Sequence, residues 1–147
     1  MTVSIKWLSN RFELLANGSV DVLIRTTTWT TSRDAGLNAD FGAINFYDGQ
    51  GILVNTDEFP DATSALDLDG ASICVAIGST SAGNIADYFE ENNMSYQPVN
   101  TWQETWDFVN ENCDAVTGDM SEALISPGPF ASKINFFVPS ELHLKLM

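Results

Sequence analysis

The stretch ASICVAIGSTSAGNIADYFEEN, which spans Ala71–Asn92, decides the fold of this chain. Its first seven residues are apolar apart from one serine, which is typical of a strand buried on both faces of a parallel sheet. A turn rich in hydroxyl residues follows at Gly78–Ser81, and from Ala82 onward apolar residues return at helical spacing. A strand, a turn and a helix in succession predict an α/β unit with a parallel sheet.

The sequence around this unit repeats the alternation of strands and helices. On its carboxyl side we expect a short strand, a helix, a further strand and the start of a helix that a Pro-Gly-Pro stop ends, and on its amino side a short helical turn. These elements are Tyr96–Val99, Thr101–Asn112, Cys113–Thr117, Ser121–Ile125 and Ser64–Leu68. Residues 55–129 are therefore predicted to form one α/β lobe.

The first part of the chain predicts a second, smaller unit. A strand, a short helix capped near Asn10 and another strand are expected, followed by an irregular stretch and a strand that crosses to the next lobe. Their bounds are Thr2–Leu8, Arg11–Ala16, Val20–Arg25, Asp34–Asn45 and Ile52–Val54. We expect residues 1–54 to form a partial first lobe with its crossover strand. Residues 130–147 form a tail that includes an apolar strand signal and no recognisable site.

Charge and composition exclude several classes of function. The net charge of −14 argues against binding to nucleic acid, because phosphate backbones are held mainly by clustered Lys and Arg. Residues 34–132 contain no Lys or Arg but 17 of the 20 acidic residues, which favours a strongly hydrated acidic surface. We see no run of about 20 apolar residues and no secretory signal at the start.

A candidate binding stretch is DVLIRTTTWTTSRD, Asp21–Asp34, where an apolar strand signal runs into hydroxyl side chains. In α/β sheets such positions, at the carboxyl ends of strands, are where ligands bind. Thr26 and Thr28 alternate and so project to one side, and the guanidinium of Arg33 can fork onto a carboxylate. The alternative is a polar strand end with a surface arginine.

Two further signals lie in the predicted second lobe. The turn that contains Ser79 and Thr80 precedes a helix, whose first NH groups favour an anion. The alternative is a simple helix cap. Asp119 follows a strand and can accept hydrogen bonds from an ammonium group, or it can cap the helix that begins near Ser121. An arginine for a carboxylate and an aspartate for an ammonium together match the two charged ends of a free amino acid.

The chain has two cysteines, Cys74 and Cys113, each at a strand signal. If these strands are neighbours, the thiols can form a disulfide, which requires an oxidising compartment. Two buried free thiols are the equal alternative. Two cysteines and the single His143 give no metal-ligand spacing, so we expect no metal and no cofactor.

Four segments, taken in order, resemble the periplasmic solute-binding proteins of amino-acid ABC transporters. They are DVLIRTTTWTTSRD, FYDGQGILV, LDGASICVAIGSTSAGNIADYF and CDAVTGDMSEAL, and the resemblance covers Val3–Leu124. It is to the general L-amino-acid-binding branch of solute-binding protein family 3. It implies a type 2 periplasmic-binding fold, in which two α/β lobes close on a ligand by a hinge.

The resemblance also implies roles for individual residues. It assigns the ligand's α-carboxylate to Arg33, with help from Thr26 or Thr28 and from the turn at Ser79 and Thr80. The α-ammonium then falls to Asp119, and Cys74 and Cys113 stand where this branch carries a cysteine pair. Trp29 either borders the side-chain pocket or belongs to the lobe core. The implied partners are a free L-amino acid and a membrane permease, in the periplasm, with no catalysis.

The chain also departs from the family pattern. The family's export signal, first strand and first helix precede what corresponds to residue 1 here, and its closing segment is not recognisable after Ile125. We therefore expect an incomplete first lobe and a partial copy of the fold, with weak binding or none by these 147 residues alone. Two alternative functions use the same scaffold: a cyclohexadienyl dehydratase-like enzyme and a sensory ligand-binding domain.

Overall fold

The computed structural model of the chain describes residues 10–37, 39–101, 113–121, 134–137 and 145–146. Contacts between residues divide the chain into two units. Unit 1 is Met1–Tyr47 with Lys145–Met147, and unit 2 is Asp48–Leu144. The predicted strand at 2–8, the helix at 102–112 and the residues after Ser121 in the next predicted helix lie outside the described residues.

Helices and strands alternate along the chain, as expected for an α/β protein. The helices are α1 (Arg11–Ala16), α2 (Thr31–Gly36) and α3 (Thr80–Glu91), with a short 3₁₀ helix at Ala65–Leu68. The strands are β1 (Tyr47–Asp48), β2 (Gln50–Asn55), β3 (Ser72–Val75), β4 (Gln97–Asn100), β5 (Ala115–Asp119), β6 (Ile134–Phe137) and β7 (Lys145–Leu146).

Unit 2 is built on a five-stranded sheet with the order β4-β3-β5-β2-β6. Strand β3 is parallel to both β4 and β5, whereas β2 is antiparallel to both β5 and β6. The parallel part confirms the α/β prediction for this region. Strand β6 lies within the stretch 130–147 and forms one edge of the sheet.

The core of unit 2 explains why β2, β3 and β5 read as apolar runs. Ile52, Ile73 and Ala115 are fully buried on these three strands. From α3, Ile85 and Phe89 pack on the same core, because residues four apart share one face of a helix. Two residues after the end of α3, Asn93 has the left-handed φ of 55°, and the NH of Met94 donates back to the carbonyl of Phe89 at 2.8 Å.

Cys74 and Cys113 form a disulfide in unit 2, with their Cα atoms 5.7 Å apart. Cys74 lies on β3, and Cys113 precedes β5, which pairs with β3. The disulfide implied by the family resemblance is thus confirmed, and the alternative of two free thiols is wrong. Beside it, the carboxylate of Asp114 accepts hydrogen bonds from Ser72 N at 2.8 Å and Ser72 Oγ at 2.7 Å, which adds a second tie between the two strands.

Unit 1 differs from its prediction in one strand and one helix. Helix α1 is present with the expected bounds. The predicted strand Val20–Arg25 is wrong, since these residues form no strand and Ile24 is 68% exposed. A strand needs a neighbour for its backbone hydrogen bonds, and no strand among the described residues pairs with this stretch. Helix α2 was not predicted, since we expected only the polar end of a strand and an irregular stretch in this part of the sequence.

Candidate functional site

Helix α2 fixes the position of Arg33 in unit 1. The hydroxyl of Thr30 accepts a hydrogen bond from Arg33 N at 3.2 Å and so caps the helix. A hydroxyl residue at this position satisfies one of the NH groups that the first helical turn leaves without an internal partner. The run Thr30 to Asp34, with a hydroxyl followed by an acid in the first turn, is the sequence signal for this helix.

The guanidinium of Arg33 is held by its own neighbourhood. Its Nη1 donates to the carbonyl of Thr28 at 2.9 Å, and its Cζ lies 5.2 Å from the ring centroid of Phe12, a cation–π distance. Arg33 is half-buried, and burial lowers its pKa, although an arginine in a protein keeps its charge. No carboxylate of the described residues forms an ion pair with Arg33, and its other NH groups suit an anion.

A second arginine lies at the same ring and was not among the predicted site residues. Arg11 is 4% exposed, its Nη1 donates to the carbonyl of Thr26 at 3.3 Å, and its Cζ is 5.0 Å from the Phe12 centroid. Two guanidinium groups therefore contact one aromatic ring.

The hydrogen bonds of the threonines near Arg33 differ from those that the sequence predicted. Arg33 bonds the backbone carbonyl of Thr28 and not its hydroxyl, and the Thr28 side chain is buried. The hydroxyl oxygens of Thr26 and Thr27 are buried and have no hydrogen-bond partner among the described residues. A buried hydroxyl without a partner is costly.

Unit 1 also contains a cavity of about 350 Å³. Trp29, Thr27, Arg25 and Phe12 are among the residues that line it, whereas Thr26, Thr28 and Arg33 are not. Trp29 is 38% exposed. Trp29 therefore borders a cavity of unit 1, while the predicted carboxylate-binding residues lie outside the lining of that cavity.

In unit 2, Ser79 and Thr80 lie where the chain enters α3 after β3. The chain turns at Gly78, whose φ of +84° is a conformation that glycine adopts without strain. Ser79 is the N-cap of α3, and its Oγ accepts from Ala82 N at 3.1 Å; Thr80 is the first helical residue. The cap predicted as the simpler alternative is thus present. It orients the first turn, and with it the backbone of Thr80.

Asp119 is the last residue of β5 and lies at the edge of the sheet where the carboxyl ends of β3 and β5 meet, as does the turn at Ser79. Strands β3 and β5 are parallel, so their carboxyl ends lie together. Asp119 is 6% exposed and lies opposite Gln50 in the β2–β5 register. Asp119 was predicted to follow a strand that ends at Thr117, whereas β5 continues for two more residues and ends at Asp119 itself. The structure thus brings Ser79, Thr80 and Asp119 to one edge of unit 2.

Two buried polar residues beside this edge were missed from the sequence. Gln50 is fully buried at the start of β2, and Asp48 is 4% exposed two residues earlier. Both lie in the segment Tyr47-Asp48-Gly49-Gln50-Gly51, which directly precedes the predicted crossover strand Ile52–Val54. The available signal was the presence of two polar residues directly before a continuous apolar run.

Two kinds of feature are absent from the described residues. No group of three His, Cys, Asp or Glu in that part of the chain could hold a metal ion. None of the helices found there has the length and apolarity that a membrane crossing requires.

Comparison with known proteins gives consistent similarities. The chain is 49% identical over 114 residues to the glutamate/glutamine/aspartate/asparagine-binding protein BztA of Rhodobacter capsulatus, covering 76% of this chain and 33% of that protein. It is 40% identical over 133 residues to the putative amino-acid ABC transporter-binding protein YhdW of Escherichia coli, covering 89% and 37%. No protein-family model matches the chain.

A solved structure shows the same relationship. An ABC transporter periplasmic binding protein from Brucella ovis with glutathione bound superposes with a TM-score of 0.77 and is 40% identical. The match covers 95% of this chain and 44% of that one. The chain thus spans about a third of the length of the curated relatives that it matches, and less than half of the solved structure.

Proposed function

We propose a ligand-capture function for this chain, which is homologous to the amino-acid-binding proteins of ABC transporters and has part of their type 2 periplasmic-binding fold. The protein that contains it binds free L-amino acids outside the cytoplasm and delivers them to the membrane permease of an ABC transporter. The periplasm is the proposed location, which agrees with a disulfide.

The observation that carries this proposal is the environment of Arg33. Its guanidinium is half-buried, is oriented by the Thr28 carbonyl and the Phe12 ring, and has no ion-pair partner among the described residues. Charged groups away from water are normally paired, and a guanidinium matches a carboxylate with two parallel hydrogen bonds. Arg33 therefore holds the α-carboxylate, and the unpartnered hydroxyl of Thr26 adds a further bond, with Thr28 supporting the arginine.

Unit 2 carries its own proposed ligand contacts. There, the carboxylate of Asp119 accepts hydrogen bonds from an α-ammonium group, and the backbone at Ser79 and Thr80 donates to a carboxylate. These three residues share one edge of the sheet, which supports a common role. Trp29 is proposed as a wall of the side-chain pocket. The relatives are named as binding proteins, which favours capture over the dehydratase-like alternative.

Isothermal titration of the full-length protein with a panel of L-amino acids tests the proposal. The parent should bind, and Arg33→Ala or Asp119→Asn should weaken binding by about 100-fold or more, since each change removes a charge-assisted pair. Asp87→Asn is the matched control for Asp119→Asn, because Asp87 is exposed on α3 and belongs to no part of the proposed site. If Arg33→Ala and Asp119→Asn both bind like the parent, the assignment of the charged ends is wrong.

A further inference from the structure

A buried hydrogen-bond network in unit 2 centres on Gln50. Its Nε2 donates to the carbonyl of Ser81 at 3.1 Å and to Thr117 Oγ1 at 2.8 Å, and its Oε1 accepts from Asn84 Nδ2 at 3.0 Å. Both donor hydrogens of the amide are used, so its orientation is fixed. The hydroxyl of Thr117 in turn donates a hydrogen bond to the carbonyl of Gly51 at 3.0 Å.

The partners of Gln50 belong to the two elements that carry the proposed ligand residues. Ser81 and Asn84 lie on α3, directly after Ser79 and Thr80. Thr117 lies on β5, two residues before Asp119. Because Gln50 also faces Asp119 in the β2–β5 register, one side chain fixes the start of α3 relative to the end of β5.

Asp48 holds the residues that follow Asp119. Its Oδ1 accepts from Gly49 N at 2.8 Å and from Ser121 N at 3.2 Å, and its Oδ2 accepts from the Ser121 hydroxyl. Between them, Met120 N donates to the carbonyl of Gly49 at 2.8 Å. Asp119 is thus flanked on both sides by residues that are bonded to the segment Asp48–Gln50.

We propose that the segment Asp48–Gln50 positions the ligand-binding edge of unit 2, with Gln50 as its central positioning residue. This inference rests on the proposed function, because it takes Ser79, Thr80 and Asp119 as ligand contacts. A binding site keeps its affinity when neighbouring hydrogen bonds lock its contact residues before the ligand arrives. Gln50 touches no ligand and acts through α3 and β5.

The presence of a glutamine at this buried position supports a positioning role and not only a packing role. Burying an amide costs free energy unless every polar atom is bonded, and an apolar side chain of similar volume would fill the same position without that cost. Methionine has such a volume and makes none of these bonds. Gln50→Met therefore removes the positioning and retains the packing.

The experiment combines ligand titration with hydrogen exchange on the ligand-free, full-length protein. We expect Gln50→Met to raise the Kd for the bound L-amino acids about 10-fold, and amide exchange to quicken at residues 79–82 and 120–121 but not around Phe89. Thr117→Val should act similarly, and the double variant should lose no more than either single one. Thr117→Ser keeps the hydroxyl and should behave like the parent.

Two results would overturn the inference: a Kd for Gln50→Met within about twofold of the parent, or unchanged exchange at residues 79–82. A lower Tm for Gln50→Met with neither effect would mean a purely structural role. Failure of the proposed function looks different, since the parent would then bind no amino acid or Arg33→Ala would bind normally. In that case exchange in the ligand-free protein still decides whether Gln50 fixes the start of α3.

Discussion

Strand β3 in unit 2 lies between two parallel neighbours, whereas the similar apolar stretch Asp21–Ile24 in unit 1 pairs with no strand of the described residues. The consequence shows in one pair of isoleucines. Ile73 on β3 is completely buried, and Ile24 is 68% exposed. The two stretches have much the same local preference for a strand, so the presence of neighbours decides which one becomes part of a sheet.

Helices follow a different rule in the same two units. Helix α1 and helix α2 both form in unit 1, beside the stretch that fails to form a strand. A helix closes its hydrogen bonds within its own segment, whereas a strand depends on residues that are distant in the sequence. Unit 1 therefore retains its locally determined elements, among them the helix that orients Arg33.

Removal of the disulfide should give the largest effect and should separate the two units. Cys74→Ala/Cys113→Ala opens a cross-link with a sequence separation of 39. The loss of that constraint on the unfolded chain should lower the free energy of unfolding of unit 2 by about 4 kcal/mol. Urea denaturation of the variant and the parent measures this change.

The cysteine variant has an internal control, because the chain has only these two cysteines and both lie in unit 2. Hydrogen exchange at α1 should therefore stay as in the parent while exchange at β3 and β5 quickens. Equal loss of protection from hydrogen exchange in both units would mean that they unfold together and that they do not differ in stability.

A matched pair of substitutions should give the next largest effect. Ile73→Ala removes buried methyl groups from the core and should lower the free energy of unfolding by about 3 kcal/mol. Ile24→Ala changes an exposed side chain and should alter it by less than about 0.5 kcal/mol. Chemical denaturation of both variants measures the difference. A cost of Ile24→Ala as large as that of Ile73→Ala would show that Ile24 is buried in solution.

The sequence allowed β3 and α3 of unit 2 to be predicted, because its signals there agree with one another. A continuous apolar run, a glycine turn, a hydroxyl cap and helical spacing over 71–92 all predicted the strand–turn–helix that β3 and α3 form. The antiparallel pairing of β2 with β5 and β6 was not predicted, since its partners lie far along the chain and apolar runs carry no information on direction.

The two charged candidates for the site were identified from a simpler pattern. Arg33 and Asp119 stand out because each is a charged residue that follows an apolar run, and their roles as ligand contacts stay predictions. The buried position of Arg11 was not predicted, because its guanidinium contacts Phe12, the next residue, and Thr26, which lies 15 positions away. Gln50 was overlooked because its partners Ser81 and Thr117 are 31 and 67 residues distant. Long-range hydrogen bonds of this kind leave no local pattern.

The two helix caps allow a smaller test of the same contrast. Ser79→Ala removes the bond from Ala82 N to Ser79 Oγ and should destabilise unit 2 by about 1 kcal/mol. Thr30→Ala removes the equivalent bond at α2, in unit 1. Because α2 has six residues and none of them is buried, that loss should appear as local fraying and not as a lower midpoint of unfolding.

Urea denaturation and NMR chemical shifts of the two helices distinguish these results. Ser79→Gly is a useful control, since glycine at an N-cap costs only a few tenths of a kcal/mol relative to serine. If Thr30→Ala lowers the midpoint as much as Ser79→Ala does, then α2 is as well supported as α3, and the two units are more alike than their burial indicates.

The smallest expected effect concerns the 3₁₀ helix of unit 2. The carboxylate of Asp67 accepts hydrogen bonds from the backbone NH groups of Thr63 and Ser64, each at 2.9 Å, and these bonds lower its pKa below the usual value. The ionised form is favoured in the folded state, so the stabilisation is fully present above the unfolded pKa, near 3.9, and is lost as pH falls through the folded value.

NMR titration of Asp67 should give a pKa below that of an unfolded peptide. Asp67→Asn should be less stable than the parent at pH 7, and the difference should shrink below about pH 4. A difference that is constant with pH would mean that the charge of Asp67 contributes nothing and that this cap depends on hydrogen-bond geometry alone.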